Sequence, residues 1–170
     1  MADAKKDYYA RQFARMLRVP TVTGADKSVF DELHDVMWDI APDFAKLPRF
    51  YPRNNSMIIK WEGKNHDRPL VLMAHQDVVP EEDEKGWKYP PYGGVIAEDK
   101  IWGRGAVDCK CMVFGSMVAA DELIKEGFVP EQDIYFCYGD DEENSGGSAI
   151  AEAKYLSETL NVKPVLVLDE

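Results

Sequence analysis

Long apolar runs are missing from this chain. None approaches the roughly 20 residues that a membrane-spanning helix requires, and the opening MADAKKDYYARQF contains no apolar core of a signal peptide. Cysteine is scarce, with Cys109, Cys111 and Cys137 the only three. An odd, uneven count argues against a disulfide framework. Cys109-x-Cys111 has no second pair to complete a four-ligand structural zinc site, so the thiols read as packed or half-exposed. Positive charge is also in deficit. The 20 Lys and Arg against 31 Asp and Glu leave a formal net charge of −11. That is the wrong sign for a nucleic-acid binder or for docking on an anionic membrane. The reading is a cytosolic protein that binds neither.

What is present suits one folded domain. The 170 residues, 45% apolar and 30% charged, are enough to bury a core. Residues 4–18 read as a helix with Tyr9, Phe13, Met16 and Leu17 on one face, stopped by Pro20. A second helix is expected over 28–40, with Phe30, Leu33, Met37 and Ile40 inward. Ser56–Trp61 and Pro69–Ala74 read as strands, the latter covered on both faces. Residues 81–99 read as a long loop whose acids 81–84 form a solvated turn. The aromatic part of that loop, Trp87 to Tyr92, either walls a pocket or caps the core. A third helix over 110–126 carries Val113, Met117, Ala120 and Ile124 inward and ends at Gly127. Asp133–Tyr138 and Pro164–Leu168 read as buried strands. Between them, 148–160 reads as a helix with Ile150, Ala153, Tyr155 and Leu156 partly buried. His34 and His66 read as solvated. Strands alternating with helices argue for an α/β domain with a largely parallel sheet.

Three of these strands end in polar clusters: His75-Gln76-Asp77, Asp140-Asp141-Glu142-Glu143 and Asp169-Glu170. In open α/β sheets, ligands bind beyond the carboxyl ends of the strands, so parallel strands would bring the clusters to one edge. Asp108, just before the third helix, can join them. The Gly103-x-Gly105 that precedes it is no dinucleotide fingerprint, because the third glycine is missing. Two carboxylates ~5 Å apart at an effective dielectric near 20 repel by roughly 3 kcal/mol. Several such pairs rival a domain's net stability of ~5–15 kcal/mol. The acids must therefore hold protons, bind a dication or splay into water. A His with several carboxylates is a donor set suited to Zn²⁺, with Mn²⁺ or Co²⁺ also compatible. A bridging carboxylate would allow two metals about 3.5–4 Å apart.

Four stretches, in order and at similar spacing, resemble the M20 family of metallopeptidases and amidohydrolases, which includes carboxypeptidases, dipeptidases and aminoacylases. They are MAHQDVVP (73–80), WGRGAVDCK (102–110), DEE (141–143) and LDE (168–170). The resemblance runs from about residue 56 to the end, with the segment Arg18–Val22 compatible but unspecific. It implies a three-layer, zinc-exopeptidase-like α/β fold. It implies that His75 and Asp169 ligate a first Zn²⁺, Glu143 a second, and that Asp108 bridges the two. Asp77 would orient His75, and Glu142 would be the general base. Asp141 would orient the turn, leaving Asp140 solvated. The implied substrate is a small peptide or an N-acyl amino acid.

Two departures stand out. The family often has a second Asp after the bridging one, joined through a commonly cis peptide; here Cys109 takes that place. Family members are also much longer. They supply a late His to the second metal and carry a lid domain that recognises substrate and helps form homodimers. On that basis the 170 residues are expected to be the N-terminal part of a catalytic domain, lacking the lid and the later portion and inactive alone. Its exposed sheet edge would favour self-association. The rival readings are a non-catalytic module that binds a cation or a protein partner, and a di-metal phosphoesterase. For the latter, Arg104 and Lys110 are thin support as phosphate clamps.

Overall fold

The computed structural model describes residues 2–82 and 84–170. Among the described residues four α-helices, α1 (Ala2–Leu17), α2 (Lys27–Ile40), α3 (Lys110–Lys125) and α4 (Gly147–Lys154), surround a five-stranded sheet. The sheet comprises β1 (Arg49–Arg53), β2 (Ser56–Trp61), β3 (Asn65–His75), β6 (Gln132–Gly139) and β7 (Leu166–Leu168), in the order β1-β2-β6-β3-β7. The β6–β3 and β3–β7 pairings are parallel, and both pairings of β2 are antiparallel. Four strands therefore run one way and β2 the other, which is the expected α/β sheet. A hairpin of β4 (Val95–Ala97) and β5 (Lys100–Trp102) stands apart.

Burial sorts the helices into two layers. On one face Met16, Leu33, Met37, Val113 and Met117 pack on Met57, Ile59, Phe136 and Tyr138. Phe44 meets Phe136 edge to face, with ring centroids 5.0 Å apart. On the other face Leu156, in a π turn that extends α4 over Tyr155–Thr159, packs with Val162 on Ile58, Val71, Tyr135 and Cys137. Each such side chain contributes ~1.5–3 kcal/mol through burial. Truncating Phe136 to Ala would cost about 3–5 kcal/mol.

The structure departs from the sequence reading at several points. Strand β1 was not expected; it lies at the sheet edge, where Pro52 needs no ladder partner. Within the supposed loop 81–99, residues 95–97 pair with 100–102. Tyr89 of that loop packs on Trp102, and Arg104 stacks over Trp87. In α4 the buried face is not the apolar one: Glu152 is 1% exposed, whereas Ile150 is 59% exposed and Ala153 is also exposed. Strand β7 is an edge strand with all three residues exposed, not a buried one. Among the described residues no helix is long and apolar enough to cross a membrane.

Register places the site. His75 at the end of β3 lies opposite Gly139 at the end of β6. The two following segments, 75–77 and 140–143, therefore leave the sheet side by side. A Cβ at Gly139 would come 2.8 Å from Ser148 Oγ, so a side chain there would push that hydroxyl aside.

Candidate metal centre

His75 is 2% exposed. Its Nδ1 lies 2.9 Å from the backbone oxygen of Asp77 and 3.3 Å from Asp77 Oδ1. With Nδ1–H donating there, Nε2 points outward. It faces Asp108 Oδ1 at 2.9 Å, Glu170 Oε2 at 3.4 Å and Glu142 Oε2 at 3.7 Å. Burial alone would push the imidazole pKa down. Contact with Asp77, with Cys109 and Glu170 adding, more than reverses this and raises it to about 12. A cation binding at Nε2 must displace that proton.

Asp77 is fully buried. Its Oδ1 accepts the backbone N–H of Glu142 (3.1 Å), and its Oδ2 accepts that of Glu143 (3.2 Å) and the hydroxyl of Thr23 (2.6 Å). Burial would raise this carboxyl, but His75, Thr23 and Glu142 together hold it below the ordinary range. Gln76 between them is equally buried. Its amide donates to Tyr138 O (2.8 Å), and its Oε1 accepts from His34 Nε2 (2.6 Å). His34 is thus a buried core residue, not a solvated one, and burial lowers its pKa. His66 is exposed as expected and pairs with Asp133.

His75, Asp108 and Glu143 each bring a ligand atom within 4.8 Å of the others. Asp108 is joined to buried Cys109 by a cis peptide bond. Glu143 is pushed up by burial and by the neighbouring charge of Asp108. One imidazole and two crowded carboxylates form a mixed nitrogen–oxygen set that fits a divalent cation. Glu142 has its backbone pinned but its side chain half exposed, beside the cluster and outside it.

Asp169 is not brought into this group. Its carboxylate accepts the N–H of Glu170, and Glu170 is the acid that reaches His75. A second cluster of His75, Cys109 and Glu170 results. Asp141 orients the acidic turn: its backbone oxygen accepts N–H bonds from Ser145 and Gly146, and its carboxylate holds Ser148 N, Ser145 Oγ and Arg53. Asp140 is buried rather than solvated. It accepts Asn55 N at 2.9 Å, and burial raises its pKa. Lys110, at the start of α3, is also buried and donates to Val19 O (2.6 Å) and Met16 O (3.3 Å).

Sequence reasoning gave no role to Thr23, Gln76 or Glu170. Gln76 could have been found, since it sits between two site residues at the end of a buried strand. Thr23 had no comparable signal.

The chain matches the family model of peptidase family M20/M25/M40 over residues 71–169. It is 36% identical to carboxypeptidase S of Saccharomyces cerevisiae over 86% of the chain and 28% of that protein. It is also 36% identical to the N-fatty-acyl-amino acid synthase/hydrolase PM20D1 of Xenopus tropicalis, over 68% of the chain and 22% of that protein. The chain thus spans less than a third of either relative. Among solved structures, the M20 family metallo-carboxypeptidase Sso-CP2 of Sulfolobus solfataricus matches 95% of the chain and 37% of its own, with TM-score 0.76 and 18% identity. Human carnosine dipeptidase 1 matches 98% of the chain and 39% of its own, with TM-score 0.75 and 17% identity. These are likenesses of fold, and they cover nearly all of this chain but less than two fifths of either solved structure.

Proposed function

Since this chain belongs to peptidase family M20/M25/M40, we propose that it is the metal-binding portion of a hydrolase that cleaves amide bonds in small peptides or N-acyl amino acids. The observation that carries this reading is the convergence of His75, Asp108 and Glu143 within 4.8 Å, with the half-exposed Glu142 carboxylate beside them. His75, Asp108 and Glu143 would hold Zn²⁺, or Mn²⁺ or Co²⁺ on the same donors. The chemistry such an ion supplies is polarisation of a carbonyl and acidification of water.

The chain's own residues do the rest. Asp77 fixes the His75 ring so that Nε2 faces the carboxylates. Asp108, with two oxygens at the mouth of the site, is the residue suited to bridging a pair of ions. Glu142 takes a proton from the attacking water and delivers it to the leaving amine. Its neighbour Glu143 is committed to ligation, which is how adjacent acids serve different roles. Asp169, at the end of β7 on the same sheet edge, is proposed as a further ligand on the strength of the resemblance. An Asp169→Asn variant that loses metal affinity while Glu170→Gln keeps it would uphold that assignment. The proposed compartment is the cytosol, where three free thiols are stable. Homodimerisation through a lid domain is likewise proposed for longer forms.

The test begins with metal analysis and an anomalous diffraction map of the chain grown with Zn²⁺. A screen of dipeptides and N-acyl amino acids follows, using the full-length protein and scoring released amine. Metal on His75, Asp108 and Glu143 together with metal-dependent amide hydrolysis would establish the reading. Failure to bind a divalent ion there, or hydrolysis indifferent to chelators, would overturn it.

A further inference from the structure

The loop between α1 and α2 is zipped onto the segment that carries the site. Thr21 Oγ1 donates to Gln76 O at 2.6 Å, Val78 N donates to Thr21 O at 3.0 Å, and Thr23 N donates to Val78 O at 3.0 Å. Val22 and Val78 form a parallel bridge. This ladder brings Thr23 Oγ1 to Asp77 Oδ2 at 2.6 Å, across 54 positions of sequence. The contact is shorter than the bonds Asp77 receives from Glu142 N (3.1 Å) and Glu143 N (3.2 Å).

A carboxylate has about four acceptor positions. At Asp77 they are filled by the His75 ring, two backbone amides of the acidic turn and the Thr23 hydroxyl. Three of these donors belong to the site itself; Thr23 comes from elsewhere in the fold. It is therefore the external anchor that fixes the carboxylate plane, and with it the His75 ring and the Glu142–Glu143 backbone. We propose that Thr23 is a positioning residue, its hydroxyl holding Asp77 in the orientation that aligns His75 and the acidic turn for metal binding. This inference rests on the proposed function for its purpose, though not for its geometry.

Thr23→Val keeps the shape and the backbone ladder and removes the hydroxyl; Thr23→Ser restores it. Two readouts on the chain separate the questions. Zn²⁺ affinity, measured by competition with a chromophoric chelator, should fall measurably in Thr23→Val, by less than the ~10–100-fold expected when a direct partner of a metal ligand is removed, and recover in Thr23→Ser. Without metal, hydrogen exchange at the Glu142 and Glu143 amides should quicken in Thr23→Val, recover in Thr23→Ser, and leave the β6 amides protected. Unchanged exchange at those two amides would overturn the proposal. So would protection lost throughout β6, which would mark a merely structural role, or Zn²⁺ affinity equal to that of the unaltered chain. If the unaltered chain binds no Zn²⁺, the proposed function fails, and the exchange measurement still decides the role of Thr23.

Discussion

Asp77 Oδ1 accepts the backbone N–H of Glu142 at 3.1 Å, so the residue that contacts the His75 ring also holds the turn that carries the proposed general base. One buried carboxylate thereby couples the ends of β3 and β6. Asp77→Asn replaces one acceptor with an amide donor, which would face the Glu142 or Glu143 N–H. We expect stability to fall by about 1–3 kcal/mol, the penalty for an unsatisfied buried group. Zn²⁺ affinity should drop about 10–100-fold. Urea denaturation and metal titration of the same preparation check both.

Glu142 is pinned through its backbone N–H, and its half-exposed carboxylate lies 3.7 Å from His75 Nε2, where we propose that it acts as the general base. Glu142→Ala in the full-length protein should lower kcat by about 10²–10⁴-fold, the usual contribution of a general base, while metal content stays near that of the unaltered protein. Loss of metal together with activity would reassign Glu142 as a ligand. His75→Ala should show that second pattern, which makes it the control.

Where local pattern and environment agreed, the fold was legible. Strands β2 and β6 and helix α3 follow from apolar runs and from the stripe Val113, Met117 and Ala120. The hairpin was hidden because its turn uses Glu98 and Asp99, both at φ 56°, where Asn-Gly would have signalled it. The buried face of α4 was misread because Glu152 points inward, against the hydrophobic pattern. At the site, the acids could be gathered because strand ends in a parallel sheet share an edge. The internal hydrogen bonds could not, since Thr23–Asp77 and His34–Gln76 join residues 54 and 42 positions apart.

Asp141 supplies acid sensitivity. Burial would raise its carboxyl, but Ser148, Ser145 and Arg53 hold it down at about 2, below the ordinary 3.8. A depressed folded-state pKa means stability that is complete above the unfolded value and lost as pH falls through the folded one. Asp141→Asn should therefore cost roughly 2 kcal/mol at pH 7, about 1.4 kcal/mol for each unit of displacement. That cost should shrink as pH falls from about 4 and be gone below about pH 2. Denaturant titrations of both proteins at several pH values between 2 and 7 measure the difference directly.

Glu152 should act in the opposite sense. It is 1% exposed on the sheet-facing side of α4, and its Oε1 has no hydrogen-bond partner among the described residues. Burial, then the charges of Asp140 and Asp141, raise its carboxyl from 4.5 to about 9. The folded state therefore keeps a proton that the unfolded chain releases. Its stabilising effect is complete below pH 4.5 and lost progressively towards 9. Lys110, lowered to about 7 by burial, works the other way above that pH, so the clean window is pH 5 to 7. There the stability of the unaltered protein relative to Glu152→Gln should fall by about 1.4 kcal/mol per pH unit. A neutral amide has no proton to lose, so subtracting one denaturation series from the other cancels the remaining titrations. A flat difference across the window would mean that Glu152 is ionised in the fold, with a partner for its second oxygen.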